Sequence, residues 1–338
     1  LALKIRKAPL AIAIFIAYVC ATLVLPPCYD RQSYLAAIID KHRILEQAHS
    51  PKIVFVGGSN LALGLDSKLI SREMGVDVVN MGLSRLFGLR YSLEEVKDCL
   101  HQGDTVVIVP EYENFFGEMN GSAYLMNVPV LMPRSLVWIW RSYSDSPQRI
   151  SELGWHFYQS LNFKWTWWRN LANQVAQGHL INPYLSAINP SEPFKRARHD
   201  FTDNGDFVGH LKLPAPDRKY LVLLANLKRN IDPNACKVIN SFDQFARTRG
   251  VSVVLLPPPL PQPLYDQNRE LLTELYGYWQ KNLNVPVLAP PDRYTFSKQD
   301  FFNSLYHLNK NAREQRTAMV VQDLKEHMSV AYSGKKPN

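Results

Sequence analysis

The chain has 338 residues, 46% of them hydrophobic and 20% charged, and a net charge of +8. This is a globular balance, with enough chain for one large domain or two small ones around a real core. Lys and Arg are scattered and no nucleic-acid-binding motif occurs, so nucleic acid is not an expected partner. The four cysteines, Cys20, Cys28, Cys99 and Cys236, form no CxxC pair, which argues against zinc. Cys99 and Cys236 are either separate half-buried thiols or, outside the cytoplasm, a disulfide pair.

Lys4, Arg6 and Lys7 precede an apolar run from Ala8 to Leu25, about the length that crosses a bilayer as a helix. Cations on its N-terminal side predict a cytoplasmic N-terminus and a body on the outer side. A cleaved signal peptide is the competing reading, but the run is long for one and Leu25-Pro26-Pro27-Cys28 lacks small residues. The expected order begins with a transmembrane anchor at 8–27 and a juxtamembrane helix within 30–50.

A strand at 52–56, a helix at 67–74, a short strand at 76–79, a helix at 92–100 and a strand at 105–109 then alternate. That rhythm predicts a parallel sheet with helices on both faces and ligands at the C-terminal strand ends. From 111 to 213 the rhythm is lost, and this stretch holds six of the seven Trp. It reads as a mostly helical insertion after the third strand. Helices near 217–230 and 233–248, a strand at 251–256, a helix at 265–282, a strand at 285–288 and a last helix at 311–326 resume the pattern. A frayed tail is expected at 331–338.

The first strand ends in Gly57-Gly58-Ser59-Asn60 and the second in Asn80-Met81-Gly82. Glycine before serine lets the backbone turn sharply and present both the hydroxyl and its amide N–H. Acyl transfer needs that pair: a nucleophile and a donor for the tetrahedral oxyanion. Gly82 can bring a second N–H to the same edge, and His307, on a loop before the last helix, can take the Ser59 proton. Each piece alone is weak, since glycine-serine turns also bind phosphate. Their order along the chain gives them weight. The turn lacks the Lys-Ser/Thr of a P-loop and the spaced glycines of a dinucleotide fold.

On these residues the chain resembles the SGNH/GDSL hydrolase superfamily, most of all membrane-anchored bacterial members linked to envelope or exopolysaccharide acylation. Gly57-Gly58-Ser59-Asn60 resembles the first block, Asn80-Met81-Gly82-Leu83-Ser84 the second, and the stretch from Phe301 through Thr317 the last. The likeness covers about 52–115 and 250–326. It implies a flavodoxin-like three-layer α/β sandwich over 51–330 carrying the insertion 111–213. The implied site has Ser59 as nucleophile, His307 as base, and the Ser59 and Gly82 N–H groups as oxyanion donors, with no cofactor and no metal.

Two departures stand out. Relatives carry an aspartate three or four residues before the histidine, where this chain has Ser304 and Asn303. Asn303 is thus the expected partner of His307, with Asp300 or Asp292 as alternatives. The third block is absent. Glu111 stands at the strand end and Asn114 matches poorly. Asn60, Glu111 and Arg85 are the candidate substrate-binding residues, and a solvated helix start explains Arg85 and Arg90 as well. The Trp-rich stretch 155–170 can offer sugar platforms, lie in a bilayer interface, or pack the insertion's own core. His199, Asp200 and His210 lack partners at metal-ligand spacing.

The resemblance implies an esterase or O-acyltransferase acting on acyl, chiefly acetyl, esters of a cell-envelope or exopolysaccharide. The protein would sit in a bacterial inner membrane with its main domain periplasmic or extracellular, beside protein partners of the same pathway. The alternative is a degenerate, membrane-tethered binding or assembly component.

Overall fold

The computed structural model describes residues 31–177, 197–214 and 230–333, together with Cys20. The expected anchor at 8–27 (but for Cys20), residues 217–229 of the helix near 217–230, and residues 334–338 of the expected tail lie outside these, while 331–333 belong to the last helix and not to a frayed tail. Among the described residues no helix is long and apolar enough to cross a membrane.

Four strands form one parallel sheet: β1 (Lys52–Gly57), β2 (Asp77–Asn80), β3 (Thr105–Val109) and β4 (Ser252–Leu255), in the order β2-β1-β3-β4. Their near-continuous apolar runs fit a sheet buried on both faces. Side chains alternate between two cores, as the pleat requires. Val54, Val56, Val106, Ile108, Val253 and Leu255 face one core. Ile53, Phe55, Val107, Val109 and Val254 face the other.

Helices cover both faces. Against the first lie α1 (Ala37–Gln47), α4 (Leu89–Glu94), α8 (Pro233–Thr248), α9 (Gln262–Gln267) and α10 (Arg269–Asn282). Against the second lie α3 (Ser67–Met74) and α11 (Lys310–Ser333). The predicted strand at 285–288 reduces to a single bridge, Leu255 to Val287, because Pro286 has no N–H to extend a ladder. The helix expected at 92–100 instead starts at Leu89 and ends at Glu94, with a 3₁₀ turn at Lys97–Cys99. It buries Leu89 and Leu93, one turn apart, against the first core, together with Tyr91 and Ser92.

After β3 come the short helices α5 (Val128–Leu131) and α6 (Ser135–Tyr143), then α7 (Pro147–Ala176), 30 residues long. Ser146 caps α7 by accepting from the Arg149 N–H, and Pro147 opens its first turn. Leu125, Val128, Ile139, Tyr143, Leu153 and Phe157 pack with Leu35–Ile38 in a third core. The α1 helix therefore belongs to the body and not to a spacer. The reading of the Trp residues as this region's own core needs correction. Trp138 is buried there, but Trp140, Trp155, Trp165 and Trp168 are exposed. Cys99 and Cys236 are both free thiols, so the pairing considered for them is not made.

Candidate active site

Three C-terminal strand ends converge on one edge of the sheet. The β1 end turns through Gly58 into the four-residue helical turn α2 (Ser59–Ala62). A Cβ at Gly58 would lie 2.4 Å from Glu111 Oε1, so only glycine lets the residue after β3 approach this turn. A Cβ at Gly82, beyond β2, would lie 2.6 Å from Gly58 O and 2.4 Å from Leu61 Cβ. Close approach, of the Glu111 carboxyl at Gly58 and of Gly58 O and Leu61 at Gly82, explains both glycines, with no unusual torsion.

His307 arrives from the other end of the chain. Its loop folds back on itself through the Phe301–Leu308 bridge and a Phe302 N–H to His307 O bond of 2.7 Å. Asn309 Oδ1 accepts from the Ala312 N–H and so opens α11. From behind, His210 Nε2 bonds Leu308 O at 2.9 Å while its ring stacks on Phe207. His210 thus supports the loop, and no group of metal-ligating side chains occurs among the described residues.

Ser59 Oγ lies 2.8 Å from His307 Nε2, and Asn303 Oδ1 lies 2.7 Å from His307 Nδ1. An amide oxygen can only accept, so Nδ1 carries the ring proton and Nε2 offers its lone pair to the Ser59 hydroxyl. This is the tautomer a general base requires. Asp300 is turned into its own 3₁₀ turn, where it accepts from the Ser297 N–H at 3.1 Å. It is Asn303 that sits behind the histidine.

Glu111 closes the other side. Its Oε1 lies 3.4 Å from Ser59 Oγ and accepts from the Asn60 N–H at 3.3 Å, while Oε2 accepts from Arg85 Nε at 3.2 Å. Arg85 also pairs with Glu118. Glu111 is 3% exposed. Burial and the nearby Glu113 push its carboxyl up to about 7, and the facing Arg85 only partly offsets them. The ion-pair geometry by itself favours a carboxylate. Burial prevails because Arg85 is part-exposed and shared with Glu118. A neutral Glu111 also fits the proton count. Below about 7, with the Ser59 proton directed to His307, the 3.4 Å contact between Ser59 Oγ and Glu111 Oε1 can be made by a Glu111 hydroxyl; once Glu111 ionises, that oxygen can only accept.

Gly82 departs from its expected part. Its N–H donates to Asn80 Oδ1 at 3.0 Å, so receiving an oxyanion requires exchanging that bond. Asn80 is held by its own Nδ2, which donates to Leu61 O at 3.0 Å and to Asp206 Oδ1 at 2.8 Å. Asn60 Nδ2 donates to Val109 O, and Asn60 O accepts from the buried Arg316 at 2.7 Å. Arg316 and Asp206 had no signal in the sequence, being a helix cation and a loop acid among many. Asn114, the poor third-block match, donates to Glu118 O within its own loop, and Arg90 pairs with Asp145 away from the site.

No protein-family model matches the chain, and a search of curated proteins finds no match.

Proposed function

We propose that this protein is an SGNH-type serine esterase or O-acyltransferase acting on acyl esters of a cell-envelope or exopolysaccharide. The observation that carries the reading is the 2.8 Å contact between Ser59 Oγ and His307 Nε2, with the other ring nitrogen on Asn303. The strand order supports the flavodoxin-like three-layer form of the fold, with the Val287 bridge as the fifth strand position.

In the proposed reaction Ser59 Oγ attacks the acyl carbonyl and passes its proton to His307 Nε2. The imidazolium then protonates the leaving alkoxide, leaving the acyl group on Ser59. Water, or a sugar hydroxyl deprotonated by His307, accepts that group in the second half. The Ser59 N–H and the neutral Glu111 hydroxyl serve as oxyanion donors. A carboxylic acid kept neutral by burial is a recognised donor of this kind. The apolar run 8–25 would anchor the protein in a bacterial inner membrane with this domain outside. Protein partners from the same pathway would supply or receive the polysaccharide.

A second reading, a membrane-tethered component that binds without turnover, is favoured by one feature. The Gly82 and Asn60 N–H groups are both engaged by side chains, Asn80 and Glu111. A fluorophosphonate probe separates the two. The enzyme reading expects covalent labelling of Ser59 that is abolished in Ser59→Ala and strongly reduced in His307→Ala, alongside turnover of an activated acetyl ester. Intact protein that takes no label and turns over no ester would leave only the binding role.

A further inference from the structure

The helix α7 carries two unlike faces. Leu153, His156, Phe157, Ser160 and Lys164 are its buried residues. On the outside, Tyr158, Leu161, Trp165, Trp168, Ala172 and Val175 recur at alternating spacings of three and four, which aligns them along one stripe. Trp165 is 69% exposed, Tyr158 52%, and Trp155, stacked on Tyr158 with centroids 5.2 Å apart, 55%. Exposed aromatic surface of this extent marks an interaction site.

We propose that this face of α7 lies in the interface of the membrane that holds the anchor. Three observations favour lipid over a second copy of the chain. First, the exposed residues are Trp and Tyr, whose apolar rings and polar tips suit the headgroup level of a bilayer, whereas a helix seam between copies would favour aliphatic residues. Second, no acidic residue occurs from Leu153 to Gln177, so nothing in the stripe repels an anionic lipid surface. Third, the base of α7 packs with Leu35–Ile38 in the same core. Only the eight residues between Leu25 and Tyr34 separate that core from the apolar run. Fully extended they reach about 30 Å, while α7 is about 45 Å long. A helix rooted at the tether's exit cannot stay far from the bilayer. The inference rests on the anchor reading for its address, and its consequence is that α7 fixes the height of the Ser59 site above the membrane.

The test uses the full chain in vesicles of phosphatidylethanolamine and phosphatidylglycerol whose acyl chains are brominated near the headgroup. Residues 1–30 contain no Trp, so quenching of Trp emission reads the body and not the anchor. The expected result is partial quenching that is lost in Trp155→Phe/Trp165→Phe/Trp168→Phe, with far-ultraviolet circular dichroism unchanged. Emission indifferent to the brominated lipid, or quenching that survives the triple substitution, overturns the proposal, including the case in which a second copy covers the face. Alkaline extraction of the same vesicles reports on the anchor separately. Retention without quenching removes the α7 contact alone, and release with quenching intact at neutral pH removes the anchor alone.

Discussion

At the residue behind His307, an amide does a carboxylate's positional work without its charge. Asn303 Oδ1 holds the Nδ1 proton and so selects the productive tautomer, but it does not stabilise the imidazolium. The reverse change, Asp to Asn, costs a serine protease about 10⁴ in kcat. Because Asn303 already faces the ring, Asn303→Asp should raise the ester turnover, by at least about tenfold and less than that full factor. An unchanged or lower kcat with intact labelling would mean that the amide is already the optimal partner. Glu111 makes a second prediction, about pH. Its folded value of about 7 lies above its ordinary 4.5, so the folded protein keeps a proton that the unfolded chain releases between those values. The Glu111 contribution to stability is therefore greatest below 4.5 and is lost as pH rises from there through about 7. The full decline from this group is about 3 kcal/mol. Glu111→Gln, which stays neutral and keeps a donor, should lack it, gaining over the parent at pH above 7 in urea unfolding. In the proposed reaction, ester turnover should fall as pH rises through about 7, and the same substitution should remove that fall.

At the scale of elements, the site is held by a loop from the insertion. Asp206, buried, accepts from Ser67 N–H at 2.7 Å, Ser67 Oγ at 2.6 Å and Asn80 Nδ2 at 2.8 Å, with Arg313 Nη2 at 3.4 Å. One carboxylate thus ties α3, the β2 end and α11 to the segment 197–214. Asp206→Ala would leave Arg313 facing fewer counter-charges and three donors unpaired, and should cost about 3–5 kcal/mol in urea unfolding. A loss below 1 kcal/mol would show that water replaces the carboxylate without penalty. Regular elements were legible wherever the apolar period was clean: 67–74, 105–109 and the core of 233–248 agree with the observed helices and strand. α7 was not legible as one helix, because its outer face is aromatic and hides the period a polar face would reveal.

For the whole molecule, α1 is the surprise. Lys41, buried on it, donates to Asn80 O at 2.7 Å and to Gly205 O, and burial lowers its amine to about 7. His42 on the same helix pairs with the buried Glu95. A chain beginning at Arg31 should therefore unfold in one cooperative thermal transition, whereas one beginning at Pro51 should lose it, having stripped a layer from two cores. Equal melting of the two would show that α1 adds nothing to the stability of the body.

The sequence by itself determined the α/β class, the strand edge that carries Ser59 and Gly82, and the pairing of Ser59 with His307. Apolar period and glycine turns are local properties, and chain order limits which strand ends can meet. Tertiary structure decided what surrounds that pair: Asn303 rather than Asp300 behind the ring, Glu111 against Ser59, Asn80 on the Gly82 N–H, and Arg316 and Asp206 beneath. Those roles depend on burial and on contacts between residues far apart in the chain. A buried Glu and a solvated one are the same letter, and only the fold sets the dielectric around each.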